Sequence, residues 1–139
     1  MHNILNNLTL VKNKVNEIVE KKQLKINPKI IVVTKTFGID KFKPLLDHGH
    51  IDFGENKIQE AENKWFDVKN QYKNIKLHMI GKLQSNKAKR AVMLFDYIHS
   101  LDNEKLAIKL NQYVKELKKN TKFFIQINVG DESQKSGIQ

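Results

Sequence analysis

Short apolar runs alternate with helical stretches five times along this chain, and that rhythm excludes most folds. KIIVVTK (29–35), HIDFGEN (50–56), KLHMIG (76–81), DYIHSLD (96–102) and KFFIQINVG (122–130) read as strands. The first is apolar on both faces, as a parallel strand covered on both sides must be. Ahead of it, residues 3–22 place Ile4, Leu8, Val11, Val15 and Ile18 at alternating steps of four and three, one face of a helix. A second helix is predicted from about Asp40 to His48, with Gly49 as its stop. A third runs over 57–72 through Ile58, Ala61, Trp65, Val68 and Tyr72. Ser85 or Asn86 can cap a fourth, carrying Ala88, Ala91, Val92 and Phe95, and Asp102 a fifth, through Leu106, Leu110, Tyr113 and Leu117. Strict alternation implies an α/β fold with a parallel sheet, either doubly wound or a (β/α) barrel. In both, ligands gather at the C-terminal ends of the strands. Those ends carry Lys35, Glu55-Asn56, Gly81, Ser100–Asp102 and Asn128.

Composition narrows the function classes. A chain of 139 residues, 40% hydrophobic and 29% charged, suits one globular domain. No cysteine is present, which excludes disulfides, thiol catalysis and Cys-ligated zinc. No apolar run approaches the ~20 residues of a membrane helix, and the N-terminus lacks secretory features, so the chain reads as cytoplasmic. The net charge of +10 raises a nucleic-acid reading. Its basic residues are all lysine except Arg90 and are scattered, without a recognition signature, so nucleic acid is not an expected partner. The five histidines show no metal-ligand spacing, so no metal site is expected. GxGxxG, GxxxxGK[ST] and GxSxG are all absent.

Lys35 ends the most apolar run and shares strand parity with Ile31 and Val33. On an inward face its ammonium would lose hydration and its pKa would fall, as Schiff-base chemistry requires. The plain alternative is a lysine snorkelling from the strand end. FGEN (53–56) reads as a Gly turn in which Glu55 or Asn56 caps the next helix, or in which Asn56 points into a pocket. His78, mid-strand, reads more readily as a hydrogen-bonded core residue than as a base. LQSNK (83–87) suits an anion-binding helix start or a plain cap.

Taken in order, VVTKTF (32–37), FGEN with QE (53–60), HMIGKLQSNK (78–87) and FIQINVGDESQKSGI (124–138) resemble the pyridoxal phosphate homeostasis protein family. That family looks like the barrel domain of alanine racemase without its second domain. The resemblance implies a partial alanine-racemase-like (β/α) TIM-barrel domain over 1–139, with an N-terminal helix and about five of eight βα units. It implies pyridoxal 5'-phosphate (PLP) as cofactor, with Lys35 forming the lysine aldimine. Asn56, His78, Asn86 and Lys135 match cofactor-side motif positions. The implied role is intracellular PLP (vitamin B6) homeostasis without robust catalysis, with apo-enzymes that accept PLP as partners and no membrane. A PLP-dependent racemase or decarboxylase is the alternative, and a Schiff-base aldolase a more distant one.

The chain departs from the family in length. A closed barrel has eight strands, and the family's phosphate-gripping residues lie beyond the five present. The expectation is a chain shortened at its C-terminus, monomeric when full length and prone to self-association when short. Phe37 stands where many relatives are basic.

Overall fold

The computed structural model describes residues 3–139. Helix α1 (Ile4–Lys21) leads into β1 (Val32–Val33), α2 (Ile39–Asp47), β2 (Asp52–Glu55), α3 (Ile58–Gln71) and β3 (Lys76–Met79). A short 3-10 turn (Ser85–Lys87) then runs into α4 (Ala88–Leu94), followed by β4 (Tyr97–Leu101), α5 (Glu104–Glu116) and β5 (Lys122–Ile125). All neighbouring strands pair in parallel, and their order across the sheet is their order in sequence. A doubly wound sheet reverses its order at a switch point. This sheet never reverses, so its winding is that of a (β/α) barrel, with five of the eight strands.

The core lies between the sheet and its helices. On α3, Ile58, Ala61, Trp65 and Val68 are buried, the three-and-four spacing that puts one stripe against the strands. Trp65 packs on Phe42 of α2 and Phe53 of β2, with ring centroids 5.2 and 5.0 Å away. Leu77, Met79, Ile98, Ala91, Val92, Leu106 and Leu110 continue the same layer. Strand alternation turns the other residues to the opposite face, where Ile31 and Ile80 lie beside Gly54. In a closed barrel that face is the interior.

Several local expectations are corrected. The ladder of β1 covers only Val32–Val33, and β5 ends at Ile125. Beyond it, Ile127 bridges Ile138, so the C-terminal loop folds back on the strand end. Of the α1 stripe, Leu8 is buried, but Val11 and Ile18 stay exposed. The cap of α5 is Asn103, whose side chain accepts the Leu106 N–H at 2.8 Å, and not Asp102, which accepts from the Gly137 N–H. Ser85 and Asn86 form the 3-10 turn instead of capping α4. Gly54 lies within β2 and makes no turn, and α3 starts from Lys57 without a side-chain cap. Gly49 ends α2 as expected, with φ +83°.

Candidate functional site

Three sequence-predicted residues come from adjacent strands. Val33 pairs with Gly54, and Gly54 with His78. Lys35 and Asn56 each follow that layer by two residues, so they stand together at the C-terminal rim of β1 and β2, while His78 sits one layer deeper. Lys35 is exposed. The desolvated amine expected from strand parity is therefore not the arrangement found, because Val33 on the same face is itself open to solvent.

Asn56 is half-buried, and its side-chain oxygen is fully covered with no hydrogen-bond partner. It lines a cavity of about 400 Å³ with Met79, Lys82, Leu83, Gln84 and Lys87. Gly81 approaches the Asn56 backbone closely: a Cβ there would lie 2.2 Å from the Asn56 carbonyl oxygen. Neither Glu55 nor Asn56 caps α3. The pleat that turns Phe53 toward the helices turns Glu55 the same way, and it is fully buried.

His78 belongs to a chain of polar groups on the inner face. Its Nε2 lies 2.9 Å from Asp52 Oδ1, and its Nδ1 lies 2.8 Å from His99 Nε2. A carboxylate only accepts, so His78 Nε2 carries the proton and its Nδ1 accepts from His99. Burial pushes the His78 imidazole below its ordinary value, and the hydrogen bond that it donates to Asp52 opposes this only in part. Burial lowers His99 as well, with neighbouring His78 adding to the effect. His78 stacks on Tyr97 at 4.4 Å and His99 on Phe124 at 4.6 Å. The histidine is thus a satisfied interior residue.

Asn86 is exposed in the 3-10 turn, and Lys135 is exposed in the C-terminal loop, paired with Glu132 at 3.1 Å. Among the described residues, no hydrogen bond joins either to Lys35. Sequence reasoning missed Lys64 and Glu60, which hold the turn around Lys35. Lys64 Nζ donates to the Thr34 carbonyl at 2.7 Å, and the Glu60 carboxylate accepts the Thr36 N–H. A signal was present: Lys64 falls inside the stripe formed by Ala61, Trp65 and Val68.

No family model matches the chain. A pyridoxal phosphate homeostasis protein of Buchnera aphidicola subsp. Schizaphis graminum is 40% identical over 99% of this chain and 60% of its own length. One from Haemophilus influenzae is 36% identical over 99% of this chain and 58% of its own. The chain is similar to the pyridoxal phosphate homeostasis proteins. It spans 60% and 58% of the length of these two curated relatives. Among solved structures, PipY of Synechococcus elongatus with PLP bound superposes with a TM-score of 0.73 at 31% identity, over 90% of this chain and 58% of PipY. The family likeness and the barrel-type fold read from the sequence both stand. Among the described residues, no helix is long and apolar enough to cross a membrane.

Proposed function

We propose that this chain binds PLP through Lys35 and serves in holding and handing on the cofactor inside the cell. The observation that carries the reading is the exposed Lys35 amine at the strand-end rim, on a backbone anchored on both sides. The residues fit the cofactor on two counts. Lys35 Nζ is accessible to an aldehyde, and the orphaned oxygen of Asn56 is an acceptor awaiting a donor. The cofactor supplies an aldehyde carbon to which an unprotonated lysine amine can bond, with loss of water. The likeness to homeostasis proteins and to PLP-bound PipY supports this assignment.

The inner-face polar groups favour a carrier over an enzyme. Proton transfer needs an acid or base free to reach the reacting atom. Asp52, His78 and His99 are bonded to one another beneath the rim. Lys82 and Lys87 beside Asn56 add positive charge suited to a phosphate, and Asn86 and Lys135 are further positions that match the family's motifs. Acceptance by apo-enzymes follows from a bond that water can reverse.

The test is spectroscopic and chemical. PLP is added to the purified chain, the yellow absorbance band is followed, borohydride is applied, and labelled peptides are mapped. Label concentrated on Lys35 supports the proposal. Label spread evenly over the lysines overturns it. Amino-acid racemisation by the loaded protein would instead favour the enzyme reading.

A further inference from the structure

Lysines are seldom buried unless paired, and Lys64 is both. Its side chain is 8% exposed, and its ammonium has three acceptors for its three protons. These are the Thr34 carbonyl at 2.7 Å, Glu55 Oε1 at 2.8 Å and Glu60 Oε1 at 3.0 Å. Glu55 Oε1 also accepts from the Thr34 hydroxyl at 2.7 Å and from Trp65 Nε1 at 2.9 Å. Glu60 takes the Thr36 N–H. Thr34 is thus held at its side chain and its carbonyl, and Thr36 at its amide. Lys35, between them, takes no part.

The backbone at this point is strained. Thr36 has φ +66°, a left-handed conformation that is rare for a β-branched residue and costs about 1–2 kcal/mol. Such strain persists only where surrounding contacts over-determine it, and it gathers at functional sites. A buried ion pair is in itself weak evidence of stability. A plain helix–sheet brace would not need to grip the residues on either side of one exposed lysine.

We infer that Lys64, Glu55 and Glu60 form a positioning clamp for Lys35, fixing the backbone at Thr34 and Thr36 and hence the direction in which the Lys35 side chain leaves the strand. The inference rests on the reading of Lys35 as the attachment site. Glu60 is the member to change, because it is the least buried of the three. Glu60→Asp keeps the charge but withdraws the carboxylate from the Thr36 amide. Glu60→Gln keeps the acceptor in place and serves as the conservative rescue.

The experiment uses the whole chain with PLP and borohydride, and reads labelling of Lys35 relative to the other lysines, alongside the thermal midpoint. Glu60→Asp is expected to lower the Lys35 preference at least about tenfold, since a misplacement of about 1 Å can cost about a hundredfold. Glu60→Gln is expected to keep most of it, with both variants folded. Wild-type preference for Lys35 that persists in Glu60→Asp overturns the clamp and leaves the cofactor reading intact. Absence of preference in the wild type overturns both. If Glu60→Asp does not fold, loss of preference in folded Glu60→Ala beside retention in Glu60→Gln supports the clamp, and retention in both overturns it.

Discussion

A Cβ at Gly81 would come within 2.2 Å of the Asn56 carbonyl oxygen, so the residue after Ile80 has no space for a side chain. The obstacle is backbone, which cannot rotate away. Gly81→Ala is therefore expected to destabilise the chain by about 1–3 kcal/mol, read as a lower urea midpoint, and to disturb the cavity at Asn56. An unchanged midpoint would show that the β3 exit loop can yield. Glu60 is a second residue with a signed consequence. Its carboxyl is held below the usual range, first by the hydrogen bond from Lys64 and also by the Thr36 amide. A depressed carboxyl contributes stability above its unfolded value, about 4.3, and loses it as pH falls through the folded value. Acid denaturation below about pH 4.3 should be shallower in Glu60→Gln than in wild type. Parallel curves would contradict this. At this scale the sequence was legible in part. The strand-end place of Lys35 could be read because a charge ends an apolar run. Its exposure could not, because that depends on what faces the strand across the sheet. Glu55 was misread because Gly54 resembles a turn residue, although parity with Phe53 already pointed it at the helices.

Elements were more legible than the contacts between them. The spacing of Ile58, Ala61, Trp65 and Val68 is enough to specify α3 and its inner face. Strand β1 was overextended because an apolar run shows where a chain can be covered, not where its ladder finds a partner. The cap moved from Asp102 to Asn103 for a related reason: both can accept a hydrogen bond, and only the local dihedrals choose. The relay across β2, β3 and β4 was invisible in sequence, since Asp52, His78 and His99 are far apart along the chain and meet only through register. It has a consequence in pH. Burial lowers His78, His99 and also His50, whose ring packs edge-on against Phe53. With folded values depressed, the unfolded chain binds more protons, so stability is full above about pH 6.5 and declines as pH falls below it. Urea unfolding at pH 5.5 should show a lower midpoint than at pH 7.5, and a flat profile would refute the assignment. In Trp65→Ala the loss of the Phe42–Phe53–Trp65 cluster should cost about 3–5 kcal/mol, read as a large fall in the urea midpoint.

Across the whole molecule the dominant feature is an open sheet. Among the described residues, neither β1 nor β5 has a ladder strand on its outer side, and only the Ile127–Ile138 bridge lies beyond β5. Around β5, Phe124, Ile125, Ile127 and Val129 are all exposed. An uncovered apolar edge is a template for pairing with another chain, and the net charge of +10 opposes that approach. Self-association should therefore rise with both protein concentration and salt, since salt screens the repulsion. Sedimentation velocity would show it, and Ile125→Lys should reduce it. A monomer at high salt would refute the edge as the cause. The barrel-type winding was legible only up to a choice of two folds, because alternation alone does not reveal strand order.

That strand order carries one more consequence. Each strand is joined to the next one made, so every ladder bond in the sheet links segments a single βα step apart. Each pairing closes only one βα step, the shortest span that a parallel ladder allows, and synthesis runs in the same direction, N-terminus first. The rim of β1 and β2 and its gripping helix are complete once residue 71 has left the ribosome. Lys35 would then be among the first residues of the nascent chain to assume its final setting, with later strands added as successive rungs that leave it undisturbed.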